Sequence, residues 1–443
     1  MSNEARIIGR YTLTGTLKLV SPLLIRAGVY NNMSNDTVDD IVVTYHDGQP
    51  FIPGTSLAGV LKALVSDFKQ NPILVNKLFG DIEQKDSNQS TLQINDVPLS
   101  NTQIHVRDGI AIHQYLGVTK KSAKYDFEIV DAGAEGNIKI DCIIREHQQS
   151  YLTDIKETLE YIANIIKNGI NIGARTLNGL GLVVSENLKL QYYDFYKSDD
   201  VIAWLMKQPG QNINIPERLM SSETDCIVNM SCHFEDILLI KSIFEEAWET
   251  QGELCIPGSS LKGVLRHHSR KILDVLGIKN DMEDDLFGNS VTIDKESHKG
   301  KFKVSEIYLD KFSEDAKQVE QNRIRVDRFT GGVMNGALFQ DHPLRNTMNR
   351  LLTFPLQLII SKCSREEAGL VLLLVKDLMT GRIAVGANRT IGAGRIKGDA
   401  VTIKYLNETY QIDGDGKLVR GECKQLESFI ESFISSSKEA VNE

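Results

Sequence analysis

Three aspartates stand close together near the N-terminus, in the stretch AGVYNNMSNDTVDDIVV. They are Asp36, Asp39 and Asp40, and they lie on a loop between a predicted strand and a predicted hairpin. Clustered carboxylates on a loop can hold Mg²⁺ or another divalent cation through one or two oxygens, leaving the remaining positions to water and phosphate. They can also orient a ribose 2′-hydroxyl for attack on the neighbouring phosphate. A solvated acidic loop is the common alternative, and both interpretations remain open at this point.

Two strand-to-helix corners have nearly the same sequence, FIPGTSLAGVLKAL at 51–64 and CIPGSSLKGVLRHH at 255–268. A helix that opens directly after a strand exposes backbone N–H groups at the positive end of its dipole, and such a site binds phosphate readily. We expect Thr55 or Ser56 to be the N-cap of the first helix. A plain capped helix explains either corner alone, but the repetition favours binding of a phosphate backbone. The predicted contacts are Thr55, Ser56, Ser259 and Ser260.

Two glycine-rich loops accompany the corners, GARTLNGLG at 173–181 and GANRTIGAG at 386–394. Glycines let a ligand backbone approach closely, and each loop carries an arginine, Arg175 or Arg389. Arg395 extends the second loop. Neither loop fits a P-loop or a dinucleotide-binding turn, which argues against a nucleotide cofactor. A glycine-rich β-turn is the alternative.

Basic residues cluster at three places, although the net charge of −9 argues against a free-standing nucleic-acid binder. Much of the acid stands apart from them, in DMEDD at 281–285. A solvated face explains one basic cluster but poorly explains three that are attached to repeated landmarks, so we predict phosphate contacts. The predicted contacts are Arg107, Lys120, Lys121 and Lys124 on one hairpin, Arg323, Arg325 and Arg328 on another, and Arg266 on the helix after the second corner.

The elements that must position these residues recur in the same order. Pro53 and Pro257 are 204 positions apart, and the two LFG tripeptides are 208 positions apart. Gly173 and Gly386 are separated by 213 positions. Conserved order with slowly drifting offsets indicates a tandem duplication. Each repeat alternates strand patterns with two amphipathic helices, which predicts an α+β, ferredoxin-like arrangement. The predicted boundaries are 1–195 for the first repeat, 196–222 for a linker, 223–405 for the second repeat and 406–443 for a C-terminal hairpin and helix.

The six cysteines are scattered, which fits a reduced, cytoplasmic protein. Cys226, Cys232 and His233 stand close enough to suggest zinc, but DCIVNMSCH alternates like a strand, so buried thiols are the favoured interpretation. No apolar stretch approaches the roughly 18 residues of a membrane span, and the N-terminus has no apolar core typical of a signal peptide.

In this order the landmarks resemble the RAMP superfamily of CRISPR proteins, and more narrowly the fused double-backbone subunit of subtype III-D effector complexes. The motifs that carry the resemblance are IPGTSLAG and IPGSSLKG, the two LFG tripeptides, VRDGIAI with YDFEIV, VDRFTGGVMNGALF, and the two glycine-rich loops. The resemblance implies two tandem ferredoxin-like (RRM-like) domains, each with a β-hairpin thumb, at about Arg107–Val130 and Arg323–Phe339. The implied partners are a CRISPR guide RNA, a target RNA and other effector subunits, including a large polymerase-like one, and no membrane.

The resemblance also implies metal-dependent cleavage of target RNA by a loop aspartate. Asp39 matches the family's pattern best, followed by Asp40 and then Asp36, and Asp39 and Asp36 are the implied metal ligands. The second repeat departs from the pattern because only Glu245 and Glu246 stand near the equivalent place. A non-catalytic guide-RNA scaffold is therefore the main alternative, and a metabolic enzyme with a glycine-rich anion site is a weaker third.

Overall fold

The computed structural model divides the chain into two compact units. The first comprises Met1–Gly109, Tyr125–Thr176 and Leu180–Met220, and the second comprises Ile110–Lys124, Leu177–Gly179 and Ser221–Glu443. Each unit has its own apolar core. The structure describes residues 6–28, 38–82, 87–113, 119–217, 223–241, 249–250, 253–278, 281–289, 297–310, 314–347 and 350–439.

The sequence up to residue 217 forms mainly strands, with two long helices. The helices are α1 (Gly54–Lys69), α2 (Pro72–Phe79), α3 (Leu152–Asn168) and α4 (Ser198–Leu205). The strands are β1 (Ile7–Leu19), β2 (Phe51–Ile52), β3 (Asp81–Ile82), β4 (Ser87–Asn88), β5 (Leu92–Ile94), β6 (Val97–Pro98), β7 (Ile104–Ile112), β8 (Thr119–Val130), β9 (Glu135–Arg145), β10 (Ile170–Asn171), β11 (Leu182–Val184), β12 (Lys189–Asp194) and β13 (Gln211–Ile213).

The central strand of the first sheet is β1, whose alternate residues Tyr11, Leu13 and Leu17 are buried, as its period-2 pattern predicts. It pairs antiparallel with β9 along one edge, and with β12 and then β11 along the other. Strand β5 adds to β9, so the sheet contains β5, β9, β1 and β12 in that order. Helix α1 buries Leu57 and Leu61 in the core, as the apolar stripe predicts.

The sequence after residue 223 repeats this plan. The helices are α5 (Gly258–Leu276), α6 (Met282–Phe287), α7 (Arg365–Met379) and α8 (Cys423–Glu439). The strands are β14 (Cys226–Phe234), β15 (Ile237–Leu238), β16 (Glu249–Thr250), β17 (Glu253–Ile256), β18 (Phe302–Val304), β19 (Ile307–Asp310), β20 (Ala316–Gln318), β21 (Gln321–Val326), β22 (Val333–Asp341), β23 (Leu344–Asn346), β24 (Thr353–Ile360), β25 (Ile383–Ala384), β26 (Arg395–Tyr405), β27 (Glu408–Ile412) and β28 (Leu418–Arg420).

The second sheet has the order β18, β24, β14, β26, β27 and β28. Its first four strands correspond to β5, β9, β1 and β12. In each sheet, the central strand precedes all the other strands of that sheet in the sequence. The mixed α/β architecture and this order are consistent with ferredoxin-like folds. Cys226 and Cys232 occupy buried, alternate positions of β14, which confirms buried thiols. The C-terminal hairpin is β27 with β28, and the predicted final helix is α8.

The predicted cap of α1 is wrong. The N-cap is Pro53, whose carbonyl accepts from the amides of Ser56 at 3.0 Å and Leu57 at 3.1 Å. The amide of Gly54 donates to Asp96 Oδ1 at 2.7 Å, so a carboxylate already satisfies one N–H of the first turn. In α5 the N-cap is likewise a proline, Pro257.

The described helices include none that is long and apolar enough to cross a membrane.

Candidate functional site

The segment that carries Asp39 and Asp40 lies between two other stretches of backbone. The amides of Asp39 and Asp40 both donate to the carbonyl of Asp126 on β8, at 3.1 and 3.2 Å. On the other side, the amide of Val43 donates to the carbonyl of Ile25 at 2.8 Å, and Arg26 and Val42 form a bridge. The backbone at Asp39 is therefore fixed from two directions. Asp36 lies outside the described residues.

The carboxylates of Asp39 and Asp40 have different surroundings. Asp39 is exposed, and its Oδ2 accepts from the amide of Asp126 at 2.9 Å. Asp40 has its Oδ1 at 3.0 Å from Arg26 Nε and its Oδ2 at 3.5 Å from Arg175 Nη2. Because Asp40 contacts two guanidinium groups, binding a cation there would require breaking ion pairs. Asp39 is therefore the more accessible of the two aspartates.

The two glycine-rich loops are built alike, and each contacts the segment that follows the central strand of its own sheet. The amide of Ala174 donates to the carbonyl of Leu24, and that of Ala387 to the carbonyl of Leu239, both at 2.7 Å. A Cβ added to Gly181 would lie 1.9 Å from the carbonyl oxygen of Ile172, and the equivalent contact at Gly394 would be 1.8 Å. At these positions the glycines allow close approach of the protein's own backbone rather than of a ligand.

The arginines of the two loops are not equivalent. Arg175 has a left-handed backbone (φ 58°), and the residue with the same conformation in the second loop is Asn388 (φ 61°). Arg389 instead corresponds to Thr176, since both begin a short 3₁₀ helix. The Arg175 side chain is only 18% exposed and donates to the Tyr125 hydroxyl at 3.0 Å. The arginines that the sequence shows in the two loops therefore occupy neighbouring rather than equivalent loop positions.

The second loop borders a basic cavity of about 760 Å³ between α5 and α7. Five Lys or Arg side chains and one carboxylate, that of Asp377, line it, so the lining is basic in an acidic chain. Arg395 also lies 3.6 Å from Glu235, and Lys376 and Arg382 lie 3.4 and 3.6 Å from Asp377. Asp377 contacts His268 Nε2 at 2.7 Å, and although burial raises its pKa, this hydrogen bond and nearby positive charges lower it below the ordinary value. Arg389 and Arg395 were predicted from the sequence. The other three cations are Lys271, Lys376 and Arg382.

The helix start at α5 carries a lysine with unusual chemistry. Lys262 is half-buried, and burial, followed by the charges of Arg266 and Lys299, lowers its pKa to about 8. A nearby phosphate would favour the charged form of such an amine. Ser259 is exposed and Ser260 half-buried on the same first turn, as are Thr55 and Ser56 on α1.

Arg266 is engaged within the protein. Its Nε lies 2.6 Å from Glu283 Oε1, its Nη2 lies 3.0 Å from Asp284 Oδ1, and its Nη1 donates to the Gly288 carbonyl at 2.8 Å. Arg270 contacts the other oxygen of Glu283 at 2.8 Å. The acidic stretch at 281–285 and the basic residues of α5 are separate in the sequence, but they form ion pairs with each other in the structure. These ion pairs argue against Arg266 as an RNA contact.

Two hairpins stand where the resemblance placed the thumbs, β7 with β8 and β21 with β22. In the first, Lys120, Lys121 and Lys124 are exposed, but Arg107 is 1% exposed and so cannot reach RNA in this conformation. The second presents Arg325 and Arg328 to solvent, and Arg323 is half-buried and donates to Gln321 at 2.6 Å.

The second hairpin exposes apolar as well as basic side chains. Phe329 is 98% exposed, and Leu338 on β22 is 69% exposed. Asp327 orders the turn because its Oδ1 accepts from the amides of Phe329 and Thr330, and these bonds hold the pKa of its carboxyl below the usual value. An ordered turn that holds an aromatic ring in solvent is suited to contact a partner surface.

Comparison with protein families matches the chain to the RAMP superfamily over residues 16–184 and 246–397. The chain belongs to the RAMP superfamily. No curated protein matches it closely enough to add a relative. The RAMP superfamily is associated with type III CRISPR complexes and with RNA binding. The first RAMP region contains Asp39, α1 and the first glycine-rich loop, and the second contains α5, the β21–β22 hairpin and the second loop.

Several residues of these RAMP regions escaped the sequence reasoning. They include Arg26, which pairs with Asp40, and Asp341, which contacts Lys241 Nζ at 2.6 Å and Asn388 Nδ2 at 3.2 Å. Comparison of the two repeats could have identified Arg26 from the sequence, because Arg26 and Lys241 are both basic and follow the ends of equivalent strands. Among the described residues, no group of three or more His, Cys, Asp or Glu side chains is arranged to hold a metal ion.

Proposed function

We propose that this RAMP protein is a guide-RNA-binding backbone subunit of a type III CRISPR effector complex, of the fused double-backbone kind that resembles subtype III-D. Residues 1–195 and 223–405 would form the tandem ferredoxin-like domains, and β7–β8 and β21–β22 their thumbs. The equivalent strand orders of the two sheets and the two RAMP regions support this organisation.

The second unit offers the stronger electrostatic surface for a phosphate backbone. Arg389 and Arg395 border the cavity from the glycine-rich loop, and Lys271 faces it from α5. Lysine and arginine at such a surface release counterions when they bind RNA, so affinity would fall with salt. On the proposed role, the acidic remainder of the chain contacts neighbouring subunits rather than nucleic acid.

Cleavage of target RNA is proposed for the first unit through Asp39. The observation that carries this role is the contrast between the two described aspartates: the carboxylate of Asp39 is exposed on a backbone fixed by Asp126, whereas Asp40 is bound by two arginines. Mg²⁺ typically uses one or two carboxylates and keeps several waters, a donor set to which the exposed Asp39 carboxylate would contribute. Such an ion would stabilise charge on the scissile phosphate. The protein's own part is to hold the Asp39 carboxylate at one position beside the RNA.

The test is cleavage of a complementary RNA by the assembled complex with Mg²⁺. Asp39→Ala is expected to abolish cleavage at the positions served by the first unit, while guide binding is retained. A divalent chelator should have the same effect on the wild type. Undiminished cleavage at every position by Asp39→Ala would support the second candidate, a non-catalytic scaffold. The second repeat, which lacks the aspartates, is the observation that favours this candidate.

A further inference from the structure

Arg175 occupies an unusual position for a basic residue expected to bind RNA. It is the only non-glycine residue with a positive φ in the described part of the loop 173–181. Its guanidinium lies 4.6 Å from the centre of the Tyr125 ring and 4.4 Å from that of Phe127. A planar guanidinium stacks well on aromatic faces, and its low exposure leaves little of it for a phosphate.

The two stacked rings flank the residue that holds Asp39. Asp126, between Tyr125 and Phe127, accepts the Asp39 amide through its carbonyl and donates its own amide to Asp39 Oδ2. Arg175 also contacts the Asp40 carboxylate and the Tyr125 hydroxyl. The Arg175 side chain thus contacts both groups beside Asp39: the β8 residues on either side of Asp126, and Asp40, the next residue in the chain.

The second unit makes a related connection with different groups. There Asp341 on β22 contacts both Lys241, which follows the central strand, and Asn388, which has the left-handed conformation of Arg175. Asn388 bears no charge. The arginine at this loop position therefore occurs in the repeat that has the aspartates, and asparagine occurs in the repeat that lacks them.

We propose that Arg175 is a positioning residue for RNA cleavage, holding the carboxylate of Asp39 through β8 and Asp40. This inference rests on the proposed function, because it concerns the same reaction. A displacement of about 1 Å at a reacting group can cost about 10²-fold in rate. Loss of the guanidinium should therefore lower the rate of cleavage far more than the affinity for guide or target.

The experiment compares Arg175→Gly with Asn388→Gly in the assembled effector complex. Both substitutions keep the left-handed backbone available and both remove a side chain, so Asn388→Gly controls for loop loosening. Single-turnover cleavage and target affinity are measured over a range of Mg²⁺ concentrations. Arg175→Gly is expected to lower the maximal rate about 10- to 100-fold with target affinity unchanged, and Asn388→Gly to stay within about twofold of wild type.

Arg175→Lys extends the test if Arg175→Gly fails to assemble. Lysine keeps the charge but cannot stack as a plane, so the rate should still fall. An unchanged rate with Lys, or a parallel loss of rate and RNA affinity with Gly, would overturn the positioning role, the latter in favour of direct RNA contact. Asp39→Ala is run alongside: if it abolishes cleavage while the Arg175 variants cleave normally, only the inference fails. If Asp39→Ala cleaves normally, the proposed cleavage by the first unit fails.

Discussion

Glu283 provides a quantitative test of how the second unit uses its acidic cluster. Its carboxylate is 6% exposed and accepts from Arg266 at 2.6 Å and from Arg270 at 2.8 Å. Glu283→Gln keeps the size of the side chain and removes its charge, so the change in the free energy of unfolding reports the ion pairs rather than packing.

The expected loss follows from burial. Removing one partner of a buried ion pair costs about 3–5 kcal/mol, because the other charge remains without compensation. Here the guanidiniums of Arg266 and Arg270 are 38% and 43% exposed, and Arg266 keeps its contact with Asp284. The loss should therefore lie at the lower end, about 3 kcal/mol, which is about a 100-fold change in the unfolding equilibrium.

The assay is urea unfolding, together with hydrogen exchange of peptides from α5 and α6 to report this unit locally. Asp236→Asn is the matched control, since it breaks an Arg–Asp pair at 3.2 Å whose side chains are 58% and 62% exposed. Such exposed pairs are worth about 0–1 kcal/mol. If Glu283→Gln destabilises the unit no more than Asp236→Asn does, the argument from burial is refuted.

Three further outcomes follow from single residues. Gly394→Ala should destabilise the second unit by about 2 kcal/mol more than Gly392→Ala in urea unfolding, because both have a left-handed φ but only Gly394 would meet a carbonyl, at 1.8 Å. The hydrogen bond from Lys241 holds the pKa of Asp341 below its usual value despite burial, so its stabilising effect is present above about pH 4 and is lost as the pH falls through the lower folded pKa. Asp341→Asn should accordingly be destabilised at pH 7, and its difference from wild type should disappear in acid unfolding titrations. If the exposed Phe329 ring stacks on a base of the bound RNA, Phe329→Ala should leave stability within about 0.5 kcal/mol but weaken RNA binding by the complex by about 1–3 kcal/mol, and an unchanged affinity would contradict that contact.

The regular elements follow from local patterns. The period-2 burial of β1 and β14 and the apolar stripe of α1 are written in short stretches, so the sequence predicts them well. The turn at Asp327 is also local, because its carboxylate bonds residues two and three positions ahead. Repetition added what a single pattern lacks, since each weak motif occurs twice in the same order.

Contacts between distant residues were the part that sequence could not supply. Asp96, which binds the first amide of α1, is 42 positions from Gly54. Glu283 pairs with Arg266 only because α6 packs against α5, and the sequence shows merely an acidic and a basic stretch. Arg107 looked like a basic residue on a hairpin, but its position on β7 is buried. Charge type is visible in a sequence, whereas charge compensation depends on tertiary packing.

Tertiary contacts also explain how the two repeats differ around the glycine-rich loops. The bridges between Leu23 and Val130 and between Leu238 and Leu344 put Phe127 and Asp341 at equivalent positions on their hairpins. In the first repeat Phe127 packs under Arg175 and the negative charge comes from Asp40.

In the second repeat the hairpin itself supplies the carboxylate, so no loop aspartate is needed to balance Lys241. Loss of the loop aspartates was therefore compatible with folding there, whereas Asp40→Ala in the first repeat would leave Arg26 and Arg175 without their shared partner. A loss of cleavage in both Asp40→Ala and Asp39→Ala would fit a site that is displaced when Asp40 is removed. A loss in Asp40→Ala with normal cleavage by Asp39→Ala would instead show that Asp40, not Asp39, is the essential aspartate.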